Sequence, residues 1–275
     1  MGKVWLVTGA SRGMGAQIAS AVLQAGHRLV ATARRKESLA NLPHSEDVLS
    51  LSLDVTIEEQ ARAAAQGAIQ RFGQIDVLVN NPGYGLLGAV EETSSQEAKA
   101  IYDTNVFGLL NVTRAVLPFM RKQRSGHIIN MSSLGGYQAS AGWGVYGSTK
   151  FAVEGITEAL YAELKPLGTH VTVIEPGFFR TDFMDASSLM RTAVRIEDYQ
   201  GTVGRTRAFA DEHNHQQPGD PAKLAKALLE LATLPDPPVR LQLGSDAVKR
   251  IEEKNAFVNR ESQRWFSLSK STDMG

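Results

Sequence analysis

Seven short apolar runs recur along the chain: Val4–Thr8, Arg28–Thr32, Val48–Leu53, Val77–Asn80, His127–Met131, Val171–Glu175 and Val239–Leu243. Between them lie stretches with helical periodicity, at 13–25, 56–71, 96–123, 144–165 and 221–233. Several of the runs are nearly continuous in Val, Ile and Leu, as strands buried on both faces must be. Strands and helices in strict alternation bury their apolar faces together in one way, a parallel sheet with helices on both sides. The expected fold is therefore α/β and doubly wound. With 275 residues and 43% hydrophobic content the chain can bury one large core, and no repeat or linker divides it, so residues 1–275 are read as a single domain. The rhythm breaks between Asp182 and Pro221, where polar sequence carries Phe183, Met184, Leu189, Met190, Tyr199 and Phe209. A connection of that length predicts a binding loop or lid over 182–220. Residues 255–275 form a polar tail with isolated aromatics such as Trp265 and Phe266, to which the sequence assigns no role.

Composition excludes several classes of function. Lys plus Arg and Asp plus Glu are both 29, so no whole-molecule field draws the chain to nucleic acid or to an anionic membrane. There are no cysteines, which removes disulfides, Cys-ligated zinc and iron–sulfur clusters and fits a reducing compartment. Met1-Gly2-Lys3 runs straight into Val4–Val7 without a cleavage-site pattern, and Leu6 stands where a myristoylation signal places Ser or Thr. The reading is a buried first strand in a soluble, cytoplasmic protein. His213 and His215 lie in a polar loop at a spacing that diverges on a helix, so no metal site is expected. Arg121-Lys122-Gln123-Arg124 ends a long helix, where cations suit the macrodipole.

After the first run comes Thr8-Gly9-Ala10-Ser11-Arg12-Gly13-Met14-Gly15 and then a helical pattern. Glycines at a strand-to-helix turn let the backbone approach a pyrophosphate, whose charge meets the helix N-terminus. The residue ending the second run faces the adenosine ribose of a bound dinucleotide, and here it is Ala33. An acidic residue there would repel a 2′-phosphate. Its absence, with Arg34 beside it and Arg12 in the turn, points to NADP(H). The competing reading puts Arg34 in a solvated cluster with Arg35, Lys36 and Glu37.

Tyr146 and Lys150 are four residues apart in a helical stretch, so they share one face. A phenol titrates near ~10, and each unit of lowering needs about 1.36 kcal/mol of selective phenolate stabilisation. A fixed ammonium one turn away supplies part of it. Upstream, Ile128-Ile129-Asn130-Met131-Ser132-Ser133 is a strand ending in two hydroxyls, and active-site groups of open α/β sheets collect at such ends.

These motifs, in this order, resemble the short-chain dehydrogenase/reductase family over nearly the whole chain to about Leu243. The match rests on the TGASRGMG turn, Asp54-Val55, Asn80-Asn81-Pro82-Gly83, Asn105, the Ser-Ser strand end, the YxxxK helix and Pro176-Gly177-Phe178-Phe179-Arg180-Thr181. The resemblance implies a single Rossmann-type domain with strand order 3-2-1-4-5-6-7. It implies a catalytic set of Asn105, Ser133, Tyr146 and Lys150, with Ser132 as the alternative to Ser133. Tyr146 takes the acid/base role, and Lys150 lowers its pKa and holds the nicotinamide ribose. The implied cofactor contacts are Gly9, Ser11, Arg12, Gly13, Met14, Gly15, Arg34, Asp54, Val55, Asn80, Gly83, Tyr146, Lys150, Pro176, Gly177, Phe179 and Thr181. Pro82 departs from the family's usual Ala and removes a backbone donor.

The expected activity is NADP(H)-dependent interconversion of a carbonyl and an alcohol on a small, hydrophobic substrate, in the reductive direction. Trp143 and Tyr137 are candidate pocket walls, and Arg180, Arg191 and Arg195 keep an anionic substrate group open. The resemblance also implies a homodimer or homotetramer, packed through the helices starting near Gln96 and Gly144. A non-catalytic NADP(H) sensor on the same fold is the alternative. Its signature is a broken tetrad, whereas all four residues are present.

Overall fold

The computed structural model describes residues 2–274. Seven parallel strands form the central sheet: β1 (Val4–Val7), β2 (Arg28–Ala33), β3 (Val48–Ser52), β4 (Val77–Asn80), β6 (Gly126–Met131), β7 (Thr169–Pro176) and β9 (Arg240–Leu243). Their order is β3-β2-β1-β4-β6-β7-β9, the expected doubly wound arrangement once the sheet's strands are counted in sequence. A separate parallel pair, β5 (Gly85–Leu87) and β8 (Leu189–Arg191), lies outside it.

Alternation within the strands sorts the core into two layers. Trp5, Val7, Leu29, Ala31, Val77, Val79 and Ile129 pack with Ile18, Ala19 and Val22 of α1 (Gly13–Gln24) and Leu224, Leu228 and Leu231 of α7 (Pro221–Leu231). Val4, Leu6, Val30, Leu78 and Ile128 face the other way, onto the alanines of α2 (Glu58–Phe72) and onto Val112, Val116 and Met120 of α4 (Gly108–Gln123). Beyond α4, α5 (Gly144–Leu164) packs Val153 against Leu109 and Val173.

Three features differ from the sequence reading. The helix expected over 96–123 is α3 (Ser95–Tyr102), a single π-helical turn over Asp103–Phe107, and α4. The stretch 182–220 contains β8, several short turns and α6 (Arg205–Glu212), because its apolar residues pack on one another. The tail is helical, with α8 (Ser245–Arg264) followed by α9 (Phe266–Lys270). Among the described residues no helix is long and apolar enough to cross a membrane.

Candidate active site

A cavity of about 950 Å³ opens at the carboxyl ends of the central strands, running from the glycine turn to the segment 182–217. Gly9 and Gly13 have φ of +64° and +54°, conformations that a side chain strains. A Cβ on Gly15 would lie 2.1 Å from the Gly9 carbonyl oxygen, so the turn closes only on glycine. Gly9, Ser11, Arg12, Gly13 and Met14 line the cavity, with Gly15 packed beneath them. Ala33 is the last residue of β2, and it and Arg34 line the same wall as Asp54 and Val55. Asp54 is held by Thr56, whose N–H and hydroxyl donate to its Oδ1 at 3.0 and 2.7 Å. These residues form a backbone cradle at a helix N-terminus, with Arg12 and Arg34 also on the cavity wall, and it fits the pyrophosphate of a nicotinamide dinucleotide.

The structure moves one expected contact. The Asn80 side chain is buried in the sheet, donating at 2.9 Å to both Thr113 Oγ1 and Asn130 Oδ1. Its neighbour Asn81 lines the cavity instead and donates to the Thr8 carbonyl at 3.1 Å. Pro82 stands beyond the end of β4, so its missing N–H removes no ladder bond. Pro176, Gly177, Phe179 and Thr181 also line the cavity, Thr181 beside Gly13 of the glycine turn. Asp246, in the first turn of α8, clamps this loop by accepting the Phe178 N–H at 2.7 Å. A Cβ on Gly177 would strike that carboxylate at 2.1 Å.

Tyr146, Lys150 and Ser133 meet in the middle of the cavity. Lys150 Nζ lies 5.9 Å from the Tyr146 ring centre and donates to the Met131 carbonyl at 2.9 Å. The lowering expected from Lys150 is not what the fold produces: burial pushes the Tyr146 phenol up to about 12, opposed by a hydrogen bond with Ser133. Burial also pulls the Lys150 ammonium down to about 8, opposed by Glu154 one turn on. Ser133 ends β6's connection with its Oγ accepting the Gly135 N–H at 3.1 Å, whereas Ser132 turns its hydroxyl toward Gly136 and Glu154. Asn105 sits in the π turn behind this group. Its amide grips the Tyr84 backbone, accepting the N–H at 3.2 Å and donating to the carbonyl at 3.1 Å, and also donates to Thr149 Oγ1. Gly83 separates Asn105 from the lysine: a Cβ there would lie 3.2 Å from Asn105 Oδ1 and 3.5 Å from Lys150 Nζ.

The remaining wall is aromatic. Trp143 and Phe183 lie with ring centres 5.6 and 5.7 Å from that of Tyr146, and Phe178 packs on Phe209 at 5.8 Å. Tyr137 is turned away: its hydroxyl bonds Asn255 and its ring stacks beneath Arg240 at 5.5 Å. Arg180, Arg191 and Arg195 do not line the cavity, and two of them are engaged elsewhere, Arg180 with the Gln217 carbonyl and Arg191 with Asp211. His213 stacks on Phe209, while His215 gains two carboxylate neighbours that the sequence reading missed, Asp182 and Asp185.

A family model described as short chain dehydrogenase matches residues 3–192. The chain belongs to this family. Oxidoreductase BOA17 of Botryotinia fuckeliana is 38% identical to it over 272 residues, 98% of each chain. The crystal structure of a short-chain dehydrogenase from Streptomyces avermitilis superimposes with a TM-score of 0.91 at 40% identity, covering 100% of this chain and 99% of that one. Serine dehydrogenase complexed with NADP+ matches at 31% identity and a TM-score of 0.72, covering 87% and 94% of the two chains. A Burkholderia phymatum structure in complex with NAD shares the fold at 23% identity and a TM-score of 0.81, over 94% and 95%. This short-chain dehydrogenase is thus an oxidoreductase of a family that binds nicotinamide dinucleotides.

Several residues of the short-chain dehydrogenase site carried no signal in the sequence. Arg205 and Arg250 reach the cavity from α6 and α8, far from any motif. Under α5, Arg240 of β9 binds Glu154, Glu158 and Glu175 together and ties the helix that carries Tyr146 and Lys150 to β7 and β9. Glu92 fastens the segment over the cavity, accepting N–H bonds from Ala89 and Ile196 and pairing with buried Arg207. Each of these depends on partners that only the folded chain brings together.

Proposed function

We propose that this short-chain dehydrogenase is an NADP(H)-dependent oxidoreductase that reduces the carbonyl group of a small hydrophobic substrate to an alcohol, with Tyr146 as acid/base. The observation that carries this reading is the group of buried Tyr146 and Lys150 with half-buried Ser133, set in one cavity with a glycine cradle flanked by Arg12 and Arg34 and ended by Ala33. Two arginines with no acid at the end of β2 suit a 2′-phosphate, and the cradle residues with Asn81, Gly83 and Thr181 would hold the rest of the dinucleotide.

The cofactor, when bound, supplies the hydride. The chain's own part is positioning and proton transfer. Ser133 Oγ donates a hydrogen bond to the substrate oxygen, and Tyr146 gives that oxygen its proton as negative charge develops there. A phenol pushed up to about 12 holds its proton at neutral pH, the state that reduction needs. Lys150, as ammonium, stabilises the phenolate left behind, and Asn105 holds the backbone at Tyr84 against that group. The aromatic wall keeps water from the reacting centre. The enzyme acts in the cytoplasm as a homodimer or homotetramer.

The test is NADPH and NADH oxidation against hydrophobic ketones and aldehydes, with Tyr146→Phe alongside. Turnover with NADPH at least tenfold above NADH in kcat/KM, lost in the variant while NADPH still binds, is the expected result. Turnover that survives removal of the phenol overturns the mechanism. NADPH binding without turnover in either direction makes the protein a cofactor sensor.

A further inference from the structure

We infer that the substrate of this site carries an anionic group, held by Arg205 and Arg250 at the end of the cavity away from the dinucleotide cradle. The inference rests on the oxidoreductase reading and names its substrate class: an apolar carbonyl compound ending in a carboxylate or a similar oxyanion.

Side chains of both charges line the cavity, unequally. Five cations do so, Arg12, Arg34, Lys150, Arg205 and Arg250, against two carboxylates, Asp54 and Asp182. Arg12 and Arg34 belong to the cradle and Lys150 to the catalytic group. Arg205 and Arg250 are left over, one from α6 and one from α8 beyond the Asp246 clamp. Asp54 is engaged by Thr56 at the cradle end, and Asp182 faces Asp185 and His215. Among the described residues neither leftover arginine forms an ion pair, although their neighbours in the same region do: Arg207 with Glu92 and Arg191 with Asp211.

Arg250 and α6, the helix that carries Arg205, both contact the loop before α5. Thr206, next to Arg205, donates to the Ala141 carbonyl at 3.0 Å, and Arg250 reaches Ser140 Oγ at 3.4 Å. That loop runs into Trp143 and then Tyr146, and Arg205 lines the same cavity one residue before Thr206. From Tyr146 the wall runs through Trp143, Phe183, Met184, Phe178 and Phe209, an apolar passage from the reacting end to α6, which carries Arg205. A guanidinium fork fits a carboxylate in a two-bond geometry that a neutral head group cannot match. The long 3.4 Å contact of Arg250 leaves its other donors for such a ligand.

The experiment compares a medium-chain oxo-acid with its methyl ester, the same chain and carbonyl differing only in charge, under saturating NADPH. The wild type is expected to favour the acid by about tenfold or more in kcat/KM, and Arg205→Gln/Arg250→Gln to bring the acid-to-ester ratio close to one. About tenfold corresponds to about 1.4 kcal/mol. Lysine at both positions should retain part of the preference. A second arm needs no turnover: dodecanoate and dodecanol are titrated calorimetrically onto the NADP+-bound protein, with tighter binding of the carboxylate expected in the wild type and not in the double glutamine variant. Ester reduced as well as acid, or a preference untouched by the double variant, overturns the anion subsite while leaving the oxidoreductase reading intact. If neither compound is reduced, the catalytic reading fails, and the binding arm still decides the subsite: equal binding of carboxylate and alcohol overturns it.

Discussion

Burial works against Lys150's own charge. Its ammonium falls from 10.5 to about 8 because the folded site desolvates it, so the unfolded chain binds that proton more tightly than the native one. A depressed lysine pKa weakens the fold fully below about 8, and the penalty is relieved as pH rises from there toward 10.5. The gap amounts to about 3 kcal/mol, less ~1 kcal/mol for the hydrogen bond to the Met131 carbonyl. Lys150→Met should therefore raise the melting temperature of the cofactor-free protein at pH 7 by several degrees while abolishing turnover, with the difference shrinking above pH 9. A lower melting temperature at pH 7 would show that the lysine is structural. Ala33→Asp is the matching prediction for the cradle. A carboxylate at the end of β2 should cut kcat/KM for NADPH at least tenfold and spare NADH, since it repels a 2′-phosphate and accepts a bond from a free hydroxyl. The glycine turn and the shared helix face of Tyr146 and Lys150 were legible because each lies within one local element, and Ser133 through the family resemblance. Asn80 and Asn81 were not. Adjacent residues at a strand end point to opposite faces, and what draws Asn80 inward is Thr113 and Asn130, brought close only by the sheet.

At the scale of elements, the segment over the cavity is held by Glu92. Burial pushes this carboxyl up, but N–H bonds from Ile196 and Ala89 and the pairing with Arg207 outweigh it and hold it below the usual carboxylate range. A lowered carboxyl stabilises the fold above its unfolded pKa, and that contribution disappears as pH falls through the lowered value. Glu92→Gln should leave a buried guanidinium without a counter-charge at a cost of about 3–5 kcal/mol. The expected signature is a raised KM for the carbonyl substrate with faster proteolysis inside 182–220. Unchanged cleavage would mean that the aromatic packing alone holds the segment closed. The sequence showed that this stretch was special, but not that it is built of α6 and a strand. β5 and β8 are three residues each, shorter than any periodicity can reveal, and exist because they pair with one another. The π turn at Asp103–Phe107 was likewise invisible, because one extra residue in a helical turn leaves the apolar pattern nearly unbroken.

For the whole molecule, alternation of strand and helix was enough to give a parallel sheet covered on both faces, while the strand order came from the family resemblance. It gave no account of how copies associate, since a helix face buried in a core and one buried in an interface have the same composition. α5 shows the difficulty. It buries Val153 and Thr157 inward, yet Phe151 is 44% exposed, and Gly155 and Ala159 continue the exposed stripe. A second apolar stripe on a helix suits burial against a second copy, as proposed above. Phe107, at the start of α4, is 53% exposed, and an added Cβ on Gly155 meets nothing within 4 Å, so a second backbone could approach closely there. With formal net charge zero, no long-range repulsion keeps copies apart. Light scattering at micromolar concentration should give a dimer or tetramer for the wild type. Phe151→Glu and Gly155→Arg should shift it to the monomer, because each places a charge in an apolar contact with no partner to neutralise it. A wild-type monomer at that concentration would mean that the stripe faces water, and the association proposed for this enzyme would be wrong.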